Sequence, residues 1–295
     1  MLPNTLNENC SDSIINLIKR DVNPTILSKI NFNSLKFGYV NVLIPHLSPD
    51  QYDPDDIEGY DAIIFFSHWQ QQMYNLYLDI PYSRGIVMRN AIEPLKNVEK
   101  LRRGINILYV GDMDKGLDIA ISAFKKLSKK KFTESRLIVC SRRIAGKEAN
   151  YIIKEMESSP KIKWHQSVDS ELLDELYHQS HIFVYPTNYP EVSYTPLIKA
   201  MSARCMCIHS SYGSLPETSL DVTSMYGYHE DKVEHTIKFS TELEAALNIY
   251  NHSGLRRSMV QALTDRKKIV DDIYDWKVRS YQWNELLLNF VKNNG

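Results

Sequence analysis

The stretch His181–Ala200, HIFVYPTNYPEVSYTPLIKA, carries the features that decide the fold. Its apolar start, Ile182–Tyr185, is rich in β-branched and aromatic residues and predicts a buried strand that Pro186 ends. Thr195 has the side chain of a helix N-cap, and the proline after it suits the first helical position. The sequence therefore predicts a strand, a polar loop that carries Glu191, and a helix.

A carboxylate at such a junction has two interpretations. In open parallel sheets, ligands bind where a strand ends and a helix begins, and the first N–H groups of the helix favour an anion. An ordinary strand-to-helix connection with a solvated Glu191 would have the same local sequence. The remainder of the chain has to decide between them.

Strands and helices alternate along most of the chain, and this alternation predicts βαβ units with parallel sheets in an α/β protein. The other predicted strands are Tyr39–Ile44, Asp61–Phe66, Gly85–Met88, Ile105–Val110, Arg136–Ser141, Lys161–His165 and Cys205–His209. Helices are predicted near 70–78, 147–157 and 170–178, after the turn Gly111–Gly116 with Ile119, Ala123, Phe124 and Leu127 on one stripe, and as a short helix at the turn 213–218. From about Glu230 the tail is predicted to be helical throughout. The charged segment 96–104 lacks a buried face and predicts a linker.

The composition limits the classes of function. A chain of 295 residues is long enough for two domains, and its net charge of −1 gives no sign of a nucleic-acid backbone binder. The four cysteines form no CxxC pair and predict reduced, mostly buried thiols of a cytoplasmic protein. No signal peptide and no membrane-spanning run is predicted, so that any membrane contact is expected to be peripheral.

The turn Gly111–Gly116 lies between a predicted strand and a predicted helix. Its glycines allow close backbone approach, and Lys115 offers a positive charge suited to a phosphate, although a plain turn with an exposed lysine has the same pattern. Asp112 and Asp114 also spell DxD, which is able to hold a divalent metal. Such carboxylates are more often solvated or cap a helix, and we predict no metal.

Arg142 and Arg143 directly follow another predicted strand, at the same carboxyl edge. They are suited to clamp a diphosphate, or they form a surface pair facing water. Together with Lys115 and Glu191, they predict a site for a phosphorylated ligand, most simply a nucleotide diphosphate.

An ordered set of segments, within about Ala62–Thr218, resembles glycosyltransferase family 4 (group 1) of the GT-B enzymes. The segments are SHWQ, RNAIEP, LYVGDMDKGLDIAISAF, RLIVCS, KIKWHQSVDSELLDEL, IFVYPTNYPEVSYTPLIKAMSA and GSLPET. The resemblance implies two Rossmann-like parallel-sheet domains facing across a cleft, with a helical C-terminal tail. It implies a retaining transfer from a nucleotide-diphosphate-sugar co-substrate, with no metal and no other cofactor.

The resemblance also implies a division of the chain and roles for individual residues. Residues 1–97 would form a short acceptor-side domain, 98–275 the nucleotide-sugar domain, and 276–295 a helix that packs back toward the N-terminal domain. Glu191 would be the first glutamate of the E-x7-E motif, and His46, which is otherwise a solvated loop histidine, would lie near the acceptor. The implied donor-binding residues are Gly111, Lys115, Arg142, Arg143, Val192, Ser193, Tyr194, Thr195 and Lys199.

Three departures from the family pattern leave alternatives open. Lys199 replaces the second motif glutamate, and a lysine cannot accept hydrogen bonds from ribose hydroxyls, although it can meet a phosphate. Asp112 stands where an arginine is common, so that Arg142 or Arg143 is expected to substitute. The N-terminal domain is also short.

Three functions therefore stand side by side. The first is a glycosyltransferase whose acceptor is an oligosaccharide, a lipid-linked sugar, a protein or a modified nucleic-acid base. The second is a catalytically weak GT-B relative that binds a sugar or nucleotide or joins a complex. The third is another phosphate-ligand enzyme on a doubly wound sheet, such as a sugar-phosphate epimerase.

Overall fold

The computed structural model describes residues 36–37, 40–45, 49, 52, 57, 60, 62–100, 104–142 and 147–292. The chain divides into two compact units. Unit 1 consists of residues 1–93 and 274–295, and unit 2 of residues 94–273. In the part of the chain that is described, no helix is both long and apolar enough to cross a membrane.

Unit 1 contains a sheet in which the described strands have the order β1-β2-β3-β4. Its elements are β1 (Lys36–Phe37), β2 (Val40–Leu43), β3 (Ala62–Phe65), α1 (His68–Leu78), a 3₁₀ turn (Tyr82–Arg84), β4 (Gly85–Val87) and, near the end of the chain, α9 (Trp276–Lys292). β1 runs antiparallel to β2, and the other pairs are parallel. Ile63, Phe65 and Tyr74 are buried in its core, as expected for the apolar β3 and the inner face of α1.

Unit 2 contains a larger sheet whose described strands are all parallel. Its strands are β5 (Ile105–Val110), β6 (Ser135–Cys140), β7 (Ile162–His165), β8 (Ile182–Tyr185), β9 (Met206–Ser210) and β10 (Ser224–Tyr226). Its helices are α2 (Leu117–Lys130), α3 (Lys147–Glu157), α4 (Ser170–Gln179), α5 (Thr195–Ser202), α6 (Leu215–Thr218), α7 (Lys232–Asn251) and α8 (Ser253–Tyr274). The prediction of βαβ units and a parallel sheet is confirmed.

The strand order β7-β6-β5-β8-β9-β10 fixes where a ligand is expected in unit 2. Numbered from β5, this is the 3-2-1-4-5-6 order of dinucleotide-binding folds, in which the direction of winding reverses between the first and fourth strands. Those two strands are β5 and β8. The crevice outside their carboxyl ends is therefore the expected ligand position.

The core of unit 2 consists of residues from the apolar runs that were predicted to be buried. The centres of β5 and β8 are fully buried, and α2 turns Ile119, Ala123 and Phe124 inward. Three cysteines, Cys140, Cys205 and Cys207, are buried free thiols, as predicted. Burial raises the pKa of Cys140 to about 12, so that its thiol stays protonated.

Two buried histidines of unit 2, His209 and His235, make stability depend on pH, since burial lowers the pKa of each to about 4. His209 in β9 is fully buried, with Nδ1 2.9 Å from the Ser210 carbonyl and Nε2 2.8 Å from the Thr223 hydroxyl. Burial lowers the pKa of His209 from its ordinary 6.5 to about 4. Because the folded pKa lies below the unfolded one, this stabilisation is complete above the unfolded pKa and is lost as the pH falls toward the folded one.

We expect the free energy of unfolding to fall by about 2 kcal/mol between pH 7 and pH 5 on account of His209. Urea unfolding of the full chain across that range measures the slope. His209→Gln should remove about half of the slope that buried histidines cause, because His235 keeps its own lowered pKa. His252→Gln, at an exposed position, should leave the slope unchanged. An equal slope in His209→Gln and the wild type would contradict the assignment.

Candidate functional site

Two loops meet outside the carboxyl ends of β5 and β8. Lys115 lies in the turn after β5, and Glu191 lies in the loop after β8. Lys115 Nζ is 3.0 Å from Glu191 Oε1, and the two side chains are 22% and 10% exposed. The structure thus brings together a cation and a carboxylate that stand 76 residues apart, as the convergence at one edge predicted.

Tyrosines hold the Glu191 carboxylate in place. The Tyr185 hydroxyl donates a hydrogen bond of 2.5 Å to Glu191 Oε1. Burial, with the negative charge of Glu191 beside it, raises the pKa of Tyr185, so that the phenol stays protonated and remains a donor. The Tyr194 ring stacks on Tyr185 with centroids 3.9 Å apart, and its hydroxyl donates to the Val110 carbonyl.

The turn after β5 is held by a tyrosine of that strand, and it contacts the loop after β8. The buried Tyr109 hydroxyl lies 2.7 Å from the Asp112 carbonyl oxygen and 3.1 Å from that of Lys115. Gly116 has φ +84° and approaches the other loop so closely that a Cβ would lie 1.9 Å from the Pro186 carbonyl oxygen. Only glycine satisfies both conditions at this point.

A third turn holds the backbone of Glu191. The Ser214 N–H donates to the Glu191 carbonyl at 2.8 Å. Gly213 has φ +63°, and a Cβ there would lie 2.7 Å from the Glu191 nitrogen. The turn predicted before α6 therefore belongs to this edge of the sheet and fixes where Glu191 points.

The pair retains hydrogen-bonding capacity for a ligand. An ammonium has three donors, so that Lys115 can keep Glu191 and still bind an anion. Both described hydrogen bonds of the Glu191 carboxylate fall on Oε1, and among the described residues none is made to Oε2. A hydroxyl of a ligand can donate to that second oxygen. Lys115 Nζ also lies 4.1 Å from the centroid of the Tyr189 ring.

Other predicted site residues make contacts of their own. Arg142 is exposed and forms an ion pair of 3.2 Å with Asp112, and Lys199 forms one of 2.7 Å with Asp174 on α4. Their roles toward a donor stay predictions. His46 and Arg143 lie outside the described residues.

The predicted helix start was wrong by one residue. Tyr194 is the N-cap of α5, with φ −123° and ψ 89°, and Thr195 is its first helical residue. The Tyr194 carbonyl accepts from the Leu197 N–H at 3.0 Å, which places the boundary before Thr195. The predicted donor contacts Val192 and Ser193 are half-buried in the loop before it.

The carboxylates of Asp112 and Asp114, which form the DxD string, have different surroundings. Asp112 pairs with Arg142, whereas Asp114 lines a cavity of 480 Å³ beside α2 and α3. Among the described residues, no group of three or more His, Cys, Asp and Glu side chains is placed to hold a metal ion.

Sequence reasoning missed the side-chain roles of the tyrosines around Glu191. Tyr109 and Tyr185 stand near the ends of apolar runs, where a tyrosine is normally a core residue. Their position at the carboxyl edge, where a hydroxyl reaches a loop, was the available signal. Tyr194 was predicted only as a backbone contact.

Solved structures share this fold. A glycosyltransferase from Rickettsia africae aligns with a TM-score of 0.66 and 14% identity, over 85% of this chain and 69% of that chain. HepE from Anabaena, in complex with UDP and glucose, aligns with a TM-score of 0.65 and 12% identity, over 84% and 71%. A TarM variant from S. aureus, in complex with fondaparinux, α-GlcNAc-glycerol and UDP, aligns with a TM-score of 0.63 and 12% identity, over 84% and 50%.

These likenesses establish the fold class, which is that of the GT-B glycosyltransferases, as predicted. The chain spans only half the length of TarM. No curated protein matches the sequence. The family model for glycosyl transferases group 1 matches residues 93–248, which is more than half of the chain and most of unit 2. The chain therefore belongs to the glycosyl transferases group 1 family.

Proposed function

We propose that this chain transfers a sugar from a nucleotide-diphosphate sugar to an acceptor, with retention of anomeric configuration. The observation that carries the proposal is the ion pair between Lys115 and Glu191 at the point where the winding of the sheet reverses. In this proposal the cation binds the diphosphate and the neighbouring carboxylate binds hydroxyls of the sugar. UDP in two of the similar structures, and glucose in one, support a ligand of this kind.

Each member of the pair has a task in this reaction. Lys115 stabilises the negative charge that grows on the leaving diphosphate, and the N-terminus of α2, which has no side-chain cap, offers N–H donors beside it. Glu191 orients the sugar through Oε2 while Tyr185 holds Oε1. The reaction is proposed to need no metal and no cofactor other than the sugar donor, in the cytoplasm, with His46 on the acceptor side.

A second candidate is a GT-B relative that binds a nucleotide or sugar without turnover. The ion pair between Lys199 and Asp174 favours it. Lys199 occupies the position of the second motif glutamate, and its ammonium already pairs with a carboxylate of this chain. A ribose hydroxyl cannot donate to that ammonium.

A melting-temperature screen tests the proposal. UDP-, GDP- and ADP-sugars and the corresponding diphosphates are added to the wild type, to Lys115→Met and to the matched control Lys126→Met, which removes an exposed lysine from α2. One nucleotide-sugar at about 100 times its Kd should raise the melting temperature by roughly 5–10 °C. Lys115→Met should abolish the shift, and Lys126→Met should keep it.

The same samples separate the two candidates. Release of nucleoside diphosphate from the donor that binds supports the transferase. A shift without release supports the binding protein. No shift with any nucleotide-sugar would contradict both.

A further inference from the structure

Unit 2 has a second cavity, at the opposite edge of its sheet from Lys115 and Glu191. It measures 630 Å³ and lies at the amino ends of β8 and β9, against α7 and α8. Four of its lining residues are cations and one is a carboxylate: Lys100, Arg204, Arg256, Arg257 and Glu99. We call it the basic cavity. Its volume is in the range of ligand sites, and its charge favours an anion.

Two of these cations are fixed by neutral groups. Lys100 Nζ donates to the carbonyl oxygens of Tyr177, at 3.2 Å, and Ser180, and lies 3.4 Å from Cys205 Sγ. Arg204 Nη2 donates to the Val98 carbonyl at 2.6 Å. Carbonyl oxygens orient these side chains, and among the described residues neither cation forms an ion pair, so that both contribute positive charge to the basic cavity.

Arg204 occupies a backbone position that its residue type disfavours. It follows the end of α5 with φ +59°, where the Cys205 N–H closes the helix on the Ala200 carbonyl at 2.9 Å. Helices that end in this way usually have glycine or asparagine at the left-handed residue. Strain of this kind is found at ligand sites, where a side chain is needed in one place.

The wall formed by α8 adds to the positive charge. Its first turn contains no acidic residue, although acidic side chains are favoured at the start of a helix. Arg256 and Arg257 follow instead, at the fourth and fifth helical residues. Guanidinium groups bind phosphate oxygens in pairs of parallel hydrogen bonds, and the exposed Arg257 is suited to do so at this wall.

We propose that the basic cavity is a second ligand site, separate from the glycosyl-transfer site, that binds a phosphate-bearing anion. Val260 and Leu263 line the same cavity, which gives the ligand an apolar surface beside its phosphate. Both a free phosphorylated metabolite and the headgroup of an anionic lipid have this chemistry. The proposal does not depend on the reaction proposed for Lys115 and Glu191.

The test uses the full chain with Lys115→Met, which removes the diphosphate contact expected at the other edge. Titration calorimetry with inorganic pyrophosphate is compared between this background and the same background with Arg204→Gly or Arg257→Gln. Lys268→Gln, which removes an exposed cation from the same helix, is the control. Co-sedimentation with vesicles of phosphatidic acid in phosphatidylcholine, or of phosphatidylcholine alone, forms the lipid arm.

We expect each arginine variant to weaken pyrophosphate binding about tenfold or more, and Lys268→Gln to leave it unchanged. Arg204→Gly should also keep a melting temperature close to that of the wild type, because relief of the left-handed strain offsets the lost hydrogen bond to the Val98 carbonyl, so that a folding defect cannot explain its loss of binding. Binding to phosphatidic acid vesicles alone, lost in the same variants, would assign the phosphate to a lipid. Binding of neither probe, or binding that the arginine variants do not weaken, would overturn the proposal.

Discussion

Replacing Gly116 with alanine is expected to lower the free energy of unfolding by roughly 3 kcal/mol or more. Two costs add. The residue has φ +84°, which is unfavourable for a side chain, and the new Cβ would lie 1.9 Å from the Pro186 carbonyl oxygen. Because the contacting atom belongs to the backbone, no rotamer change can relieve the clash. One of the two loops that carry Lys115 and Glu191 has to move.

Thermal unfolding of the full chain measures the effect, and we expect the melting temperature to fall by about 10 °C. Gly227→Ala is the matched control, since the nearest atom to its Cβ would be Lys238 Nζ at 4.0 Å. Gly116→Ala should also weaken binding of any ligand that the pair holds. Equal melting temperatures for the two alanine variants would mean that the loops do not touch as described.

The regular part of the fold was predictable because burial and periodicity agree along it. The predicted strand Ile105–Val110 and the predicted helix Lys147–Glu157 have the observed bounds. β10 was missed for a physical reason. Ser224–Tyr226 is three residues long and buries only Tyr226, so that its sequence contains no apolar run. It is recognised as a strand only through its pairing with β9.

For the candidate site, the sequence predicted which residues lie at the same edge of the sheet, but not how they contact one another. Parallel strands bring their carboxyl ends to one edge, and this alone placed Lys115 near Glu191. Their contact depends on the approach of Gly116 to Pro186 and on the turn at Gly213, which are tertiary features. The hydrogen bond from Tyr185 was not predicted, because its position at the carboxyl edge of the sheet is consistent with a core residue as well as with a donor to the loop.

The left-handed conformation of Arg204 could not be predicted from the sequence. Its sequence context, between α5 and β9, contains no glycine or asparagine to mark the left-handed residue that ends the helix. Sequence signals for helix ends rest on the commonest residue at each position. Where an arginine stands in that position, only the backbone conformation reveals it.

The second large effect is expected from a double-mutant cycle on Lys115 and Glu191. Lys115→Met and Glu191→Gln each keep the size of the side chain and remove its charge. If the chain transfers a sugar, each should lower kcat/KM about 10²–10³-fold, the range found for removing one preorganised electrostatic contact. Lys126→Met, on the exposed face of α2, should leave kcat/KM unchanged.

The double variant shows whether Lys115 and Glu191 act together or independently. Lys115 Nζ and Glu191 Oε1 are 3.0 Å apart in a partly buried site, so that each single variant also disturbs the residue that remains. The losses should therefore not multiply, and the double variant should be at most about tenfold worse than the poorer single one. Losses that multiply would show that the two residues act independently on the substrate.

Tyr185→Phe extends the cycle to the residue that holds the carboxylate. It removes the donor at 2.5 Å from Glu191 Oε1 but keeps the ring that stacks on Tyr194. We expect kcat/KM to fall about tenfold, the cost of one hydrogen bond to a charged group. In the Glu191→Gln background the same change should have little further effect, because the charge that Tyr185 positions is already gone. A full tenfold loss in both backgrounds would mean that Tyr185 acts on the substrate by a route other than Glu191.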